Sequence, residues 1–163
     1  MTERVAEKRA LRGSSVFQTL SDTDLETIAR LAVEKEYEAG AVIFRQNDAA
    51  EEIFLLREGK VALQMQLSGP RQMSKSVTVD MLTTNEVFGW SAIVEPHVYT
   101  LSAVCLQRAK VLAINGTRFG SLLQENQSVG YAVLNKLIGV VASRLIETRH
   151  LLISERLWNP KVE

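Results

Sequence analysis

The sequence predicts a mainly β fold with flanking helices, an antiparallel barrel or sandwich set between a helical N-terminus and a long C-terminal helix. Two observations carry this. Between residues 41 and 114, short runs rich in β-branched and aromatic residues recur at regular intervals, most of them bounded by Gly, Asn, Asp or Pro, the pattern of short antiparallel strands. On either side the apolar spacing becomes helical, at Leu25, Ile28, Leu31 and Ala32 and again beyond Thr117.

Taken in order, residues 2–12 mix Glu, Arg, Lys and Ala and predict a helix with little apolar face, broken at Gly13, Ser14 and Ser15. Ser21 is a good N-cap for the next helix, whose Asp22 and Asp24 suit a positive first turn. Its apolar stripe carries it to about Lys35. The expected strands are Ala41–Phe44, Ile53–Leu56, Val61–Leu67, Ser76–Leu82, Tyr99–Leu106 and Val111–Ile114. Between two of them, Leu67–Ser76 is polar with Gly and Pro and reads as an exposed hairpin tip with solvated Arg71 and Lys75.

Past Asn115-Gly116, Thr117–Glu125 forms a short helix and Ser128 begins a long one reaching about Trp158. Along it, Leu134, Ile138, Val141, Leu145, Thr148 and Leu152 alternate spacings of four and three, the heptad seam of paired helices. The expected partner is a second copy, meeting this one through Leu134, Ile138, Val141, Leu145 and Leu152. A parallel stripe of Val133, Leu137 and Val140 is placed to face the β body. The alternative is one wide apolar face docking within the monomer. One domain spans residues 1–163, with a helix and barrel over 14–125 and the closing helix over 126–158.

Composition excludes several classes of function. Nineteen basic and nineteen acidic residues cancel, and the pI is near 6.8. No global field draws the chain to nucleic acid or to an anionic membrane. The single cysteine, Cys105, lies in an apolar β run and reads as a buried structural thiol in a reducing compartment. The charged N-terminus lacks a signal-peptide core, and no uninterrupted apolar run reaches membrane-spanning length. A cytoplasmic protein without membrane contact is expected. His97 and His150 lie far apart and lack neighbouring metal ligands, so no metal site is expected. A haem-type sensor using those histidines is a remote reading. No P-loop, GxSxG or HExxH is present, so no enzyme is expected.

The stretch with chemical content is EVFGWSAIVEPHVYTLSA, Glu86 to Ala103. A strand meets Gly89, one apolar turn follows from Trp90 to Val94, and a β-rich exit begins at Val98, Tyr99 and Thr100. This layout presents backbone N–H groups to one point, the way proteins hold anions without side chains.

The order of elements resembles the cyclic nucleotide-binding domain, the sensor half of the catabolite activator protein and its relatives. YEAGAVIFRQNDAAEEIFLLREGKVALQ over 37–64 looks like the family's opening strands, and residues 86–103 like its phosphate-binding cassette. AKVLAINGTRFGSLLQEN over 109–126 looks like its last strand and following helix, and SRLIETRH over 143–150 falls where the family's long helix nears the ligand. The resemblance implies a jelly roll (a double-stranded β-helix) with a long dimerisation helix. It implies a site made by Phe88, Gly89, Trp90, Ser91, His97, Val98 and Tyr99 of the cassette, with Thr148 and Arg149 of the helix.

It also exposes departures. Family members typically place Glu after the cassette glycine, on the ribose 2′-hydroxyl, and Arg after the cassette proline, on the cyclic phosphate. Here these are Trp90 and His97. Asn47 replaces a turn glycine, a change that left-handed backbone tolerates. Tyr99 is bulky where a phosphate should sit. A hydrogen bond to a charged group contributes roughly 1.5–3 kcal/mol. Losing two costs about 3–6 kcal/mol, roughly a hundredfold to ten-thousandfold in affinity. High-affinity cyclic AMP or cyclic GMP binding is therefore not expected. The cofactor stays open between a cyclic nucleotide, another small anion and an apolar molecule stacked on Trp90.

The leading expectation is a stand-alone, dimeric sensor that binds a small ligand in a modified cassette pocket and signals through the long helix. The chain's end at Glu163 leaves no room for a helix-turn-helix after Trp158-Asn159-Pro160, so direct DNA binding is not expected. The alternatives are a protein–protein adaptor plugged by Trp90 and Tyr99, and the sensor half of a longer transcription regulator or channel.

Overall fold

The computed structural model describes residues 2–68 and 74–158. Eight strands form two four-stranded antiparallel sheets, in orders β1-β8-β3-β6 and β2-β7-β4-β5. They are β1 Ala32–Tyr37, β2 Val42–Phe44, β3 Glu52–Glu58, β4 Val61–Ser68, β5 Ser74–Leu82, β6 Val87–Phe88, β7 Ser102–Cys105 and β8 Ala109–Asn115. Helices α1 Thr2–Gly13 and α2 Asp22–Ala29 precede them, and α3 Gly116–Glu125 and α4 Gln127–Trp158 follow. The sheets face each other as a jelly roll, and their inner side chains make one core with Leu11, Phe17, Leu25 and Ile28 from the N-terminal segment.

The second helix ends earlier than its apolar stripe suggests. Ser21 caps it as expected, its hydroxyl accepting from Asp24 N–H, but the helix stops at Ala29. Ala32–Tyr37 instead pairs along its whole length with β8, from Ala32 opposite Ile114 to Tyr37 opposite Ala109. Tertiary pairing overrides the local helical preference of Glu34-Lys35-Glu36. Those three charges are held by Arg57, Glu52 and Arg108 respectively. The first helix is less uniformly polar than its composition suggests, because Leu11 is completely buried.

The expected strand Tyr99–Leu106 is regular only over Ser102–Cys105. Its first part leaves the sheet to pair with the 47–50 loop, where Val98 bridges Ala49 and Tyr99 N–H donates to Asp48 O at 3.0 Å. Asn47 in that loop takes φ 73°, the left-handed conformation a turn glycine would adopt. At the expected hairpin tip, Lys75 is exposed and Arg71 lies outside the described residues.

In α4, Val133 and Leu137 are buried against the body and Val140 packs at its edge. The heptad positions Leu134, Ile138, Val141, Leu145 and Leu152 are exposed, between 40% and 68%. Among the described residues α4 is the one helix long and apolar enough, over Gln127–Ser154, to cross a membrane. Runs of uninterrupted apolar residues miss it because Lys136 and Arg144 interrupt the segment.

Candidate functional site

The cassette begins where β6 runs out. Val87 and Phe88 are buried and pair with Leu55 and Phe54 of β3, and the Phe88 and Phe54 rings stack at 5.2 Å. Gly89 then takes φ +74°, and a Cβ there would lie 3.0 Å from Phe54 Cδ2 and 3.2 Å from Glu52 O. Both the backbone hand and the packing require glycine. The reversal starts a 3₁₀ turn over Trp90–Ile93. That turn is backed by α3: a Cβ on Gly116 would meet Ala92 O at 2.5 Å. The early N–H groups of such a turn have no partner within it, the feature on which the anion cradle expected from the sequence rests.

What lies beneath the cradle is not open space. Tyr99 is 5% exposed, and its ring stacks on Phe44 with centroids 3.8 Å apart. Its hydroxyl donates to Glu52 O at 2.7 Å and accepts from Glu52 N–H at 3.2 Å. Burial pushes its phenol upward from the ordinary value. A phenol tied to both backbone groups of one residue is rigidly placed. The cavity left beside Gly89, Trp90, Ser91, Tyr99 and Leu101 measures about 50 Å³, against the roughly 300–1,000 Å³ usual for ligand pockets.

A larger cavity, about 260 Å³, adjoins it and shares Leu63, Trp90, Leu101 and Arg144 with it. Leu63, Val79, Leu101 and Leu151 make its apolar walls, and Asp80, Arg144, Glu147 and Thr148 its polar ones. Arg144 of α4 crosses this space. Its guanidinium lies 4.6 Å from the Trp90 ring centroid, a cation–π contact. Its Nε is 3.1 Å from Asp80 and its Nη2 donates to Val87 O at 3.3 Å, with Glu86 at 4.0 Å. Burial lowers the Arg144 pKa, while Asp80, Glu86 and Glu147 act to raise it. Thr148, one helical turn further, donates to Arg144 O at 2.8 Å.

The residues expected at the site therefore separate. Gly89, Trp90, Ser91 and Tyr99 line the small cavity, and Trp90 and Thr148 the larger one. Phe88 lies behind the cradle in the core, and Val98 sits on the Ala49 bridge. His97, at φ +57°, is exposed on the outer side. Its Nδ1 is 3.2 Å from Ala92 O, and it lines an open outer groove of about 750 Å³ with Glu51, Glu95 and Thr117. Arg149 is exposed and lines neither inner cavity. Arg144 occupies the place expected for it. The signal was present, since Arg144 precedes Thr148 by one helical turn. Nothing in the sequence links it to Asp80.

This geometry, a glycine-led turn on a jelly roll with a long helix across its mouth, defines a cyclic-nucleotide-sensor scaffold. The cyclic nucleotide-binding domain family matches residues 34–126, and the chain belongs to that family. It is 32% identical to the crystal structure of a Geobacter metallireducens GS-15 protein provisionally named a cyclic nucleotide-binding protein. That match covers 86% of this chain and 98% of the other, with a TM-score of 0.70. It is 25% identical over 138 residues to the cyclic AMP receptor protein of Thermus thermophilus, covering 84% of this chain and 60% of that protein. The sensor domain of the transcriptional regulator DNR from Pseudomonas aeruginosa shares the fold at 20% identity and TM-score 0.70, covering 90% of this chain and 96% of that one. The chain spans 14% to 60% of the length of the curated relatives it matches.

Proposed function

We propose that this chain is a non-enzymatic regulatory module whose ligand site has moved from beneath the cassette to the cavity between Trp90 and α4. The position of Tyr99 carries the reading. With its ring on Phe44 and its hydroxyl on Glu52, it fills the space where the family's cyclic phosphate would enter. His97 faces outward and Trp90 holds Arg144, so neither supplies the missing polar contacts. A compact ligand in the 260 Å³ cavity touches the cassette through Trp90 and the helix through Arg144, Thr148 and Leu151. Its occupancy shifts α4 relative to the barrel, a population shift at the helix that carries the seam.

The seam supports a second copy as partner, because Leu134, Ile138, Val141, Leu145 and Leu152 are exposed along one helix. A plugged adaptor shares the Tyr99 observation, but the cavity beside Trp90 favours a ligand. The test is titration of purified protein with cyclic AMP and cyclic GMP, read by calorimetry and by Trp90 emission in a Trp158→Phe background. Neither nucleotide should bind measurably at micromolar concentrations. Saturable micromolar binding with a Trp90 response would overturn the relocated site.

A further inference from the structure

We infer that the cavity between Trp90 and α4 takes an organic cation, not an anion; this rests on the reading that the cavity holds a ligand. Two carboxylates line it, Asp80 from β5 and Glu147 from α4, and a third, Glu86 from the segment before β6, lies 4.0 Å from Arg144. Arg144 from α4 is the one cation among the described lining residues, which leaves one negative charge uncompensated. Leu63 of β4, Leu101 and Trp90 contribute apolar surface and no charge. An anion brought to Trp90 would meet those carboxylates.

The protein already shows what the site recognises. The Arg144 guanidinium is a planar cation lying on the Trp90 face, hydrogen-bonding distance from a carboxylate, and its side chain is 16% exposed. A planar amidinium, guanidinium or aryl-ammonium ligand can make the same contacts, with its apolar part against Leu63, Val79 and Leu151. Arg144 is then a built-in competitor. A ligand that replaces it on Trp90 and Asp80 also removes the ties of α4 to Val87 O and to the cassette. Binding and helix release become one event.

Three near-isosteric probes decide the matter: benzamidinium, neutral benzamide and benzoate, titrated against the Trp158→Phe protein with Trp90 emission and melting temperature as readouts. Benzamidinium should bind saturably and more tightly than benzamide, and benzoate should not bind. Asp80→Asn should weaken benzamidinium by about tenfold or more, the loss of one charge-assisted contact. Arg144→Ala should tighten it by removing the competitor, with circular dichroism verifying the fold of each variant. Benzoate binding as well as benzamidinium, an unchanged affinity in Asp80→Asn, or weaker binding in Arg144→Ala would overturn the inference while leaving a ligand cavity in place. No response to any probe would overturn the cavity reading as well.

Discussion

Tyr99 is the residue on which the proposed relocation of the site depends, and truncating it separates two contributions. Tyr99→Phe keeps the stack on Phe44 and removes the hydroxyl that serves both Glu52 N–H and Glu52 O. Leaving buried backbone groups unpaired costs about 1–3 kcal/mol. Tyr99→Ala also deletes a ring that is 5% exposed, and large-to-small aromatic changes in a core cost roughly 3–5 kcal/mol. For a chain of 163 residues, each kcal/mol moves the melting temperature by about 2–4 °C. Tyr99→Phe should therefore lose roughly 2–12 °C and Tyr99→Ala roughly 6–20 °C in thermal denaturation followed by circular dichroism. The alanine variant should also open the space beneath Gly89, Trp90 and Ser91 and gain weak binding of cyclic AMP by calorimetry. It should stay weak, because Trp90 and the outward His97 leave the ribose and phosphate contacts unmade. A melting temperature unchanged in Tyr99→Ala, or equal losses in the two variants, would refute the plug.

Four further outcomes are expected. Gly89→Ala should be destabilised by about 1–3 kcal/mol in urea unfolding, because the residue sits at φ +74° against Phe54; a wild-type midpoint would contradict the packing described. Burial raises the phenol pKa of Tyr99 and of Tyr37 above the ordinary 10.0. The stability this represents is fully present below that ordinary value and is lost as pH rises through the raised folded values. Urea midpoints should accordingly fall above pH 10.0, less steeply in Tyr99→Phe than in wild type. Cys105 is 1% exposed and burial pushes its thiol upward, so Ellman's reagent should react only once denaturant opens the fold; immediate reaction in the native protein would be inconsistent with its burial. Ile138→Glu, at a position 68% exposed on the seam, should halve the mass seen by sedimentation equilibrium without lowering the melting temperature of the barrel; an unchanged mass would count against the seam as an interface.

Most of the architecture was legible because it rests on local rules. Period-two runs marked by turn residues located the strands, Ser21 announced a helix start, and Gly89 announced a backbone reversal. The errors fall where distant residues decide. Ala32–Tyr37 looks like the end of a helix until β8 is available to pair with it. The start of the Tyr99 run reads as strand until the 47–50 loop draws it out of the sheet.

For the site, the sequence by itself determined a glycine-led turn after a strand and a long helix, because spacing and residue type are properties of neighbours along the chain. That Trp90 and His97 stand where Glu and Arg are usual is what the family resemblance implies. Only the tertiary structure decided what fills the cassette and what faces it. Tyr99 is fixed beneath the turn because Phe44 and Glu52, both more than forty residues away in sequence, meet it in the core. Arg144 lines the cavity beside Trp90, and Arg149 does not, because the rotation of α4 against the barrel brings one residue of that helix onto Trp90 and Asp80. Helix rotation is set by which apolar stripe the body buries, here Val133 and Leu137, and that choice depends on a surface the helix sequence does not contain.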